Sequence, residues 1–129
     1  MKNLTQIKGI DELLKKLPEN YHGWYHFRNI ISLNYSKEFD YEKSFDYVDC
    51  IDMVLTDDGH KYKINVRLID CVGEMSFDII NGFWSGLTIE YHETYDKRHF
   101  EFTSFEQDIY FDVWCRDISV KLIEEDFYV

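Results

Sequence analysis

Between Lys61 and Leu68 the chain alternates without a break: Tyr62, Ile64, Val66 and Leu68 occupy one parity, Lys61, Lys63, Asn65 and Arg67 the other. A period of two is the mark of a strand with one buried and one solvated face, since successive side chains leave opposite sides of the backbone. The preceding run, "YVDCIDMVLT" from Tyr47 to Thr56, is separated from it by Asp57-Asp58-Gly59. Asp-Gly between two such runs predicts a hairpin, because glycine accepts the positive φ of a tight turn. His60 shares the parity of Tyr62 and Ile64 and is expected to pack at the strand edge.

Further on, the pattern predicts strands in "GEMSFDII" (Met75, Phe77, Ile79), "LTIEYHE" (Leu87, Ile89, Tyr91) and "HFEFTSF" (Phe100, Phe102), with "NGFWSG" and "TYDKRH" as connections. "DIYFDVWC" and "ISVKLIEE" read as two more strands joined through Arg116-Asp117. Before the hairpin, "WYHFRNIISLNYS" predicts a strand with Phe27, Ile31 and Leu33 among its core contributors. "KEFDYEKSFDY" interrupts the pattern and reads as a long loop or a single helical turn. One helix is predicted, in "GIDELLKKLPENY": Asp11 can cap it, Ile10, Leu13, Leu14 and Leu17 recur at helical spacing, and Pro18 stops it. So short a helix must gain its stability by packing on the sheet. The expected fold is mainly β (α+β by count), an antiparallel β-sandwich or strongly curved sheet of about seven or eight strands with one short N-terminal helix.

Composition narrows the function classes. A chain of 129 residues suits a single domain, and 45% hydrophobic residues with 18% aromatics are enough to build its core. Twenty-five acidic residues against fourteen basic ones give a formal charge of −11, which repels phosphate backbones and anionic lipid. Nucleic acid and membrane are therefore not expected partners. The N-terminal stretch lacks an apolar signal-peptide core, and no run reaches a membrane-spanning length, so a cytoplasmic protein is expected. Cys50, Cys71 and Cys115 are odd in number, widely spaced and set in apolar surroundings, which fits buried reduced thiols better than a disulfide framework. The pattern leaves open a monomer or a homodimer through an edge strand.

Catalytic motifs are missing: there is no nucleophile elbow, phosphate-binding glycine loop, H-E-x-x-H or C-x-x-C. Asp57-Asp58-Gly59-His60 lacks the alternating ligands and closing Glu of a calcium loop. A zinc site from His22, His26 and a distant His92 or His99, or a nucleophile pair of Cys71 or Cys115 with a histidine, has no supporting spacing. No metal and no cofactor is expected. What stands out is the mixture of acids and aromatics in "EFDYEKSFDYVD". Tyrosine and phenylalanine give contact area at small entropic cost, and the acids attract a basic partner. Asp40, Tyr41, Glu42, Asp46 and Tyr47 are the candidate partner-binding residues.

The order "WYHFRNIISLNYS", "VDCIDMVLTDDGHKYKINVRL", "GEMSFDII" and "DIYFDVWCRDISVKLIEE" resembles that of small immunity proteins of bacterial polymorphic toxin systems, over roughly residues 20 to 123. Arg28-Asn29 departs from the resemblance, standing where an Asp would follow the histidine. The resemblance implies a non-catalytic inhibitor that binds and neutralises a cognate toxin domain. An acidic, aromatic-bearing surface is compatible with a basic toxin. Two other classes stay open: a small-molecule-binding β domain with an unknown ligand, and an unfamiliar enzyme using scattered His and Asp residues.

Overall fold

The computed structural model describes residues 5–21, 23–75, 87–94, 96–104 and 111–124, apart from the side chains of Met75, Leu87 and Ser104. It is mainly antiparallel β, as expected. Helix α1 (Ile10–Lys16) and a 3-10 turn at Trp24–His26 precede six strands: β1 (Asn29–Asp40), β2 (Asp46–Thr56), β3 (Lys63–Met75), β4 (Leu87–Tyr91), β5 (Phe100–Ser104) and β6 (Phe111–Ile123). They form one sheet in the order β1-β2-β3-β6-β5-β4. Two three-stranded meanders are thus joined through the long central pair β3 and β6, with β1 and β4 at the edges. Phe77, Ile79 and the "NGFWSG" connection lie outside the described residues.

The core follows from the alternation. Residues directly opposite on antiparallel strands share a face, so Met53, Val66 and Val120 form one row across β2, β3 and β6, and Ile51, Leu68 and Ile118 form the next. All six are buried in a single cluster, which α1 covers with Ile10, Leu13 and Leu17 and the 3-10 turn with Trp24 and Phe27. Asp11 does not cap α1: the N-cap is Gly9, in the left-handed region at φ 85, and Asp11 lies in the first turn, where its charge suits the helix dipole. The chain just before α1 joins the sheet itself, as Lys8 N–H donates to the Ile118 carbonyl at 2.9 Å and its carbonyl accepts from Val120 N–H at 2.9 Å.

Three departures from the sequence reading have local causes. The run expected as the first strand begins with the 3-10 turn, and the strand then continues to Asp40, so "KEFD" is strand and the loop shrinks to Tyr41–Phe45. Ile31 is 48% exposed because the β1–β2 register shifts between Ile30 and Ser32, a bulge that turns it out of the core. The two C-terminal strands are one: β6 passes through Arg116-Asp117 while its buried positions change from Phe111, Val113 and Cys115 to Ile118 and Val120. β3 changes phase at the same level, from Leu68 to Cys71 across Asp70, which has φ 62.

The Asp57–Tyr62 connection is a turn, but His60 and not Gly59 carries the positive φ, at 53, and His60 is exposed rather than packed. Asp57 organises it. Its buried carboxylate accepts from Lys61 N–H at 2.7 Å, Tyr62 N–H at 3.1 Å and the Tyr21 hydroxyl at 2.6 Å. The bond to Asp57 pushes the Tyr21 phenol up to about 12.

A Cβ on Gly9 would overlap the Val120 carbonyl oxygen, and its φ disfavours any side chain; Gly9→Ala is expected to lower unfolding free energy in urea by about 1 kcal/mol or more. Gly59→Ala, where a Cβ meets open space, is expected to leave it nearly unchanged. The raised Tyr21 pKa means that the protonated phenol contributes fully below the unfolded value of about 10 and that the contribution is lost as pH rises towards 12. Stability measured between pH 10 and 12 is expected to fall less steeply in Tyr21→Phe than in the parent.

Candidate functional site

The β1–β2 hairpin is long, with Phe39 opposite Tyr47 and Asp40 opposite Asp46 in its final pairs. Such an arm needs something to hold its end. Asp40 supplies it: the carboxylate accepts from the N–H groups of Glu42 at 3.2 Å, Lys43 at 3.3 Å and Ser44 at 3.1 Å, and from the Ser44 hydroxyl at 3.0 Å. Aspartate turns a chain this way because its short side chain substitutes for a backbone acceptor. The same carboxylate receives Arg116 Nη1 of β6 at 2.6 Å, and Lys43 reaches Asp117 of β6 at 3.2 Å. The hairpin tip therefore curls across β3 to rest on a strand that is not its neighbour.

Behind Arg116 lies the phase shift. Asp70, 3% exposed, pairs with Arg98 at 2.8 Å, Lys97 at 3.0 Å and Arg116 at 3.6 Å, and Arg98 Nε also donates to the Asp70 carbonyl at 3.0 Å. Burial alone would raise the Asp70 pKa; the ion pairs with Lys97 and Arg98 outweigh it and hold the carboxyl below the usual carboxylate range. Arg116 holds Asp40 well below that range too, with the Ser44 N–H assisting. One ionic network thus connects the hairpin tip, the centre of the sheet and the β4–β5 turn.

Held in this way, the tip exposes aromatic rings. Tyr41 is 74%, Phe45 72% and Tyr47 67% exposed, and all three surround Phe39, with ring centroids 4.6, 5.5 and 5.2 Å from it. Phe45 has φ 53, a conformation that costs a bulky residue about 1–3 kcal/mol and here presents its ring to solvent. Of the five residues expected to contact a partner, Tyr41, Glu42, Asp46 and Tyr47 are exposed on this tip. Asp40 stands apart, its side chain only 9% exposed, as the residue that positions the others. The sequence reading missed Phe39 and Phe45, although both belong to the repeated Phe-Asp-Tyr triplets.

Most neighbouring acids are already paired within the fold: Glu38 and Asp52 with Arg67, Asp49 with Lys37, Asp117 with Lys43 and Arg116. A concavity of about 460 Å³ under the tip is lined by Glu38, Asp40, Cys50, Arg67, Ile69 and Arg116. Within it Glu38 is paired with Arg67 and Asp40 with Arg116, while Lys8 and Glu42 also line it. His26 lines a concavity of about 380 Å³ with Tyr21, Arg28, Asp57 and Asp58, where the Tyr21 hydroxyl and the Lys61 N–H engage Asp57 and the Arg28 and Asn29 side chains engage Asp58. His92 Nε2 lies 3.0 Å from Glu101, His99 Nδ1 lies 2.9 Å from the His92 carbonyl, and His60 stands on the exposed turn. Among the described residues, no group of three His, Cys, Asp or Glu is placed to hold a metal ion, and no helix is long and apolar enough to cross a membrane. Comparison of the chain with protein-family models, with curated proteins and with solved structures gives no match.

Replacing Asp70 by Asn would leave Arg98 and Lys97 without their counter-charge. Asp70→Asn is expected to lower stability at pH 7 by about 3 kcal/mol. Because the folded pKa lies below the unfolded value of about 3.9, the ionised form contributes fully above pH 4 and is lost as pH falls further. Urea unfolding at stepped pH values should therefore show a shallower acid decline in the variant than in the parent.

Proposed function

We propose that this protein is a non-catalytic, cytoplasmic protein-binding inhibitor whose contact surface is the tip of the β1–β2 hairpin. The observation that carries this reading is the solvent-facing cluster of Tyr41, Phe45 and Tyr47 around Phe39 on a tip anchored by Asp40. Tyrosine and phenylalanine held rigidly at a protrusion lose little entropy on docking, which is how a small patch becomes the energetic centre of an interface. Folding would ordinarily bury these rings. Here the fold spends backbone strain at Phe45 and the Asp40–Arg116 ion pair on displaying them.

Charge supports a basic partner. Glu42 and Asp46 flank the rings and are exposed, and they add to a chain of formal charge −11. Such a surface speeds encounter with a positive face. A toxin domain acting on an anionic substrate has a positive face at its active site, and the resemblance to immunity proteins makes a cognate toxin domain the proposed partner.

Affinity capture at low salt tests this directly. The tagged chain is expected to retain one basic polypeptide whose production alone is harmful to cells and is tolerated when this chain is co-produced. Tyr41→Ala and Phe45→Ala are each expected to weaken binding by roughly 10-fold or more through faster dissociation, with unfolding curves close to the parent. Glu42→Lys with Asp46→Lys should slow association and flatten its salt dependence. Equal retention of the same polypeptide by the aromatic variants would place the interface elsewhere.

A further inference from the structure

We propose that Cys71 and Cys115 form a dithiol that a small peroxide oxidises to a cross-strand disulfide. The two cysteines are directly opposite one another on β3 and β6, and both are buried and reduced.

The ladder shows how close their backbones are. On β6, the Ile118 carbonyl and the Val120 N–H both point to Lys8, away from β3, and both residues are in the core. In a strand of fixed direction, the side towards which the N–H and carbonyl point is tied to the face on which the side chain lies. Cys115 is also a core residue, so its N–H and carbonyl point to β5, where its partner is Phe100. Cys71 and Cys115 are therefore a non-hydrogen-bonded pair, the closely spaced kind with Cα atoms about 4.5 Å apart. That falls within the span of about 4.4–6.8 Å that a disulfide bridges.

Access is one-sided. Cys115 is fully enclosed, whereas Cys71 lines a surface concavity of about 270 Å³ with Tyr35, Asp49 and Val113, wide enough to admit hydrogen peroxide. Cys71 is the attacking sulfur and Cys115 the resolving one, a division that matches the neighbouring Cys71 thiol and the burial that push the Cys115 thiol up. After Cys71 gives up its proton to water, its sulfur attacks one peroxide oxygen; an S–O bond forms, the O–O bond breaks, and hydroxide leaves and is protonated. Cys115 then attacks the Cys71 sulfenic sulfur, the S–S bond forms, the S–O bond breaks, and water departs with the Cys115 proton. The two sulfurs are oxidised by two electrons in all, and the peroxide is reduced to two waters. Cys50 takes no part: it stands opposite Ile69 on β2, outside the core cluster.

The test exposes the full folded chain to hydrogen peroxide, then unfolds it in N-ethylmaleimide and maps the peptides. The expected product is a single intramolecular disulfide linking Cys71 to Cys115, with Cys50 alkylated. Cys50→Ser should give the same link. Cys115→Ser should give none, and its Cys71 should proceed to sulfinic acid under the same exposure. Recovery of both Cys71 and Cys115 alkylated, a disulfide that includes Cys50, or a link that forms only in the unfolded chain would each overturn the proposal.

Discussion

Asp70 and Arg116 face each other on the two central strands at the one level where neither continues the ladder. Had the alternation of β3 and β6 run on unbroken, both charges would have entered the apolar cluster, and Cys71, Val113 and Cys115 would have turned out of it. The simultaneous change of phase removes that conflict and leaves two opposite charges at the centre of the sheet. Buried charge is tolerated only when it is paired and its remaining hydrogen-bonding capacity is met. Asp40, Asp117, Arg98 and Lys97 supply the opposite charges, while Asp70 Oδ2 has ion-pair neighbours but no hydrogen bond, and this pairing brings the hairpin tip and the β4–β5 turn to the middle of the sheet.

The exposed tip rests on that pairing. A two-stranded arm is marginal in water on its own, and the Tyr41–Phe45 loop contains a phenylalanine in the left-handed region. The cost is met from outside the arm, by Arg116 on Asp40 and Asp117 on Lys43, while the ring contacts to Phe39 give the cluster a defined shape. Recognition and stability are thus divided between adjacent residues: Asp40 faces inward to hold the loop, and Tyr41 faces outward.

How much of this could be read from the residues varies with the range of the interaction responsible. The first half of β3 was legible because Ile64, Val66 and Leu68 obey one period, whereas Gly73–Met75, read as the start of another strand, is the end of β3 beyond the phase change at Asp70. The β1–β2 arm was legible only in part, since "KEFD" offers charges where a strand usually offers apolar residues, and the partner that accounts for Asp40, Arg116, lies far along the chain. β6 looked like two strands because a phase shift and a break leave the same trace in hydrophobic spacing. The acid and aromatic content of the tip was visible at once, whereas the separation of Asp40 from Tyr41, Glu42, Asp46 and Tyr47 needed the fold. Ile31 was misplaced for the same reason: a bulge is set by register against the neighbouring strand, of which a single run of residues carries no record.

The link between Lys8 and β6 has a consequence for the order of events during synthesis. Ile118 and Val120, which receive Lys8, are made long after it. The apolar stripe of α1 formed by Ile10, Leu13 and Leu17 therefore has no docking place while β1, β2 and β3 are already able to pair as a meander of short-range contacts. Closure of so long a loop is a late, slow step. Until β6 is made, the nascent chain is an incomplete sheet with one unsheltered edge on β3, the strand whose charged Arg67 and Asp70 make it a poor template for another chain.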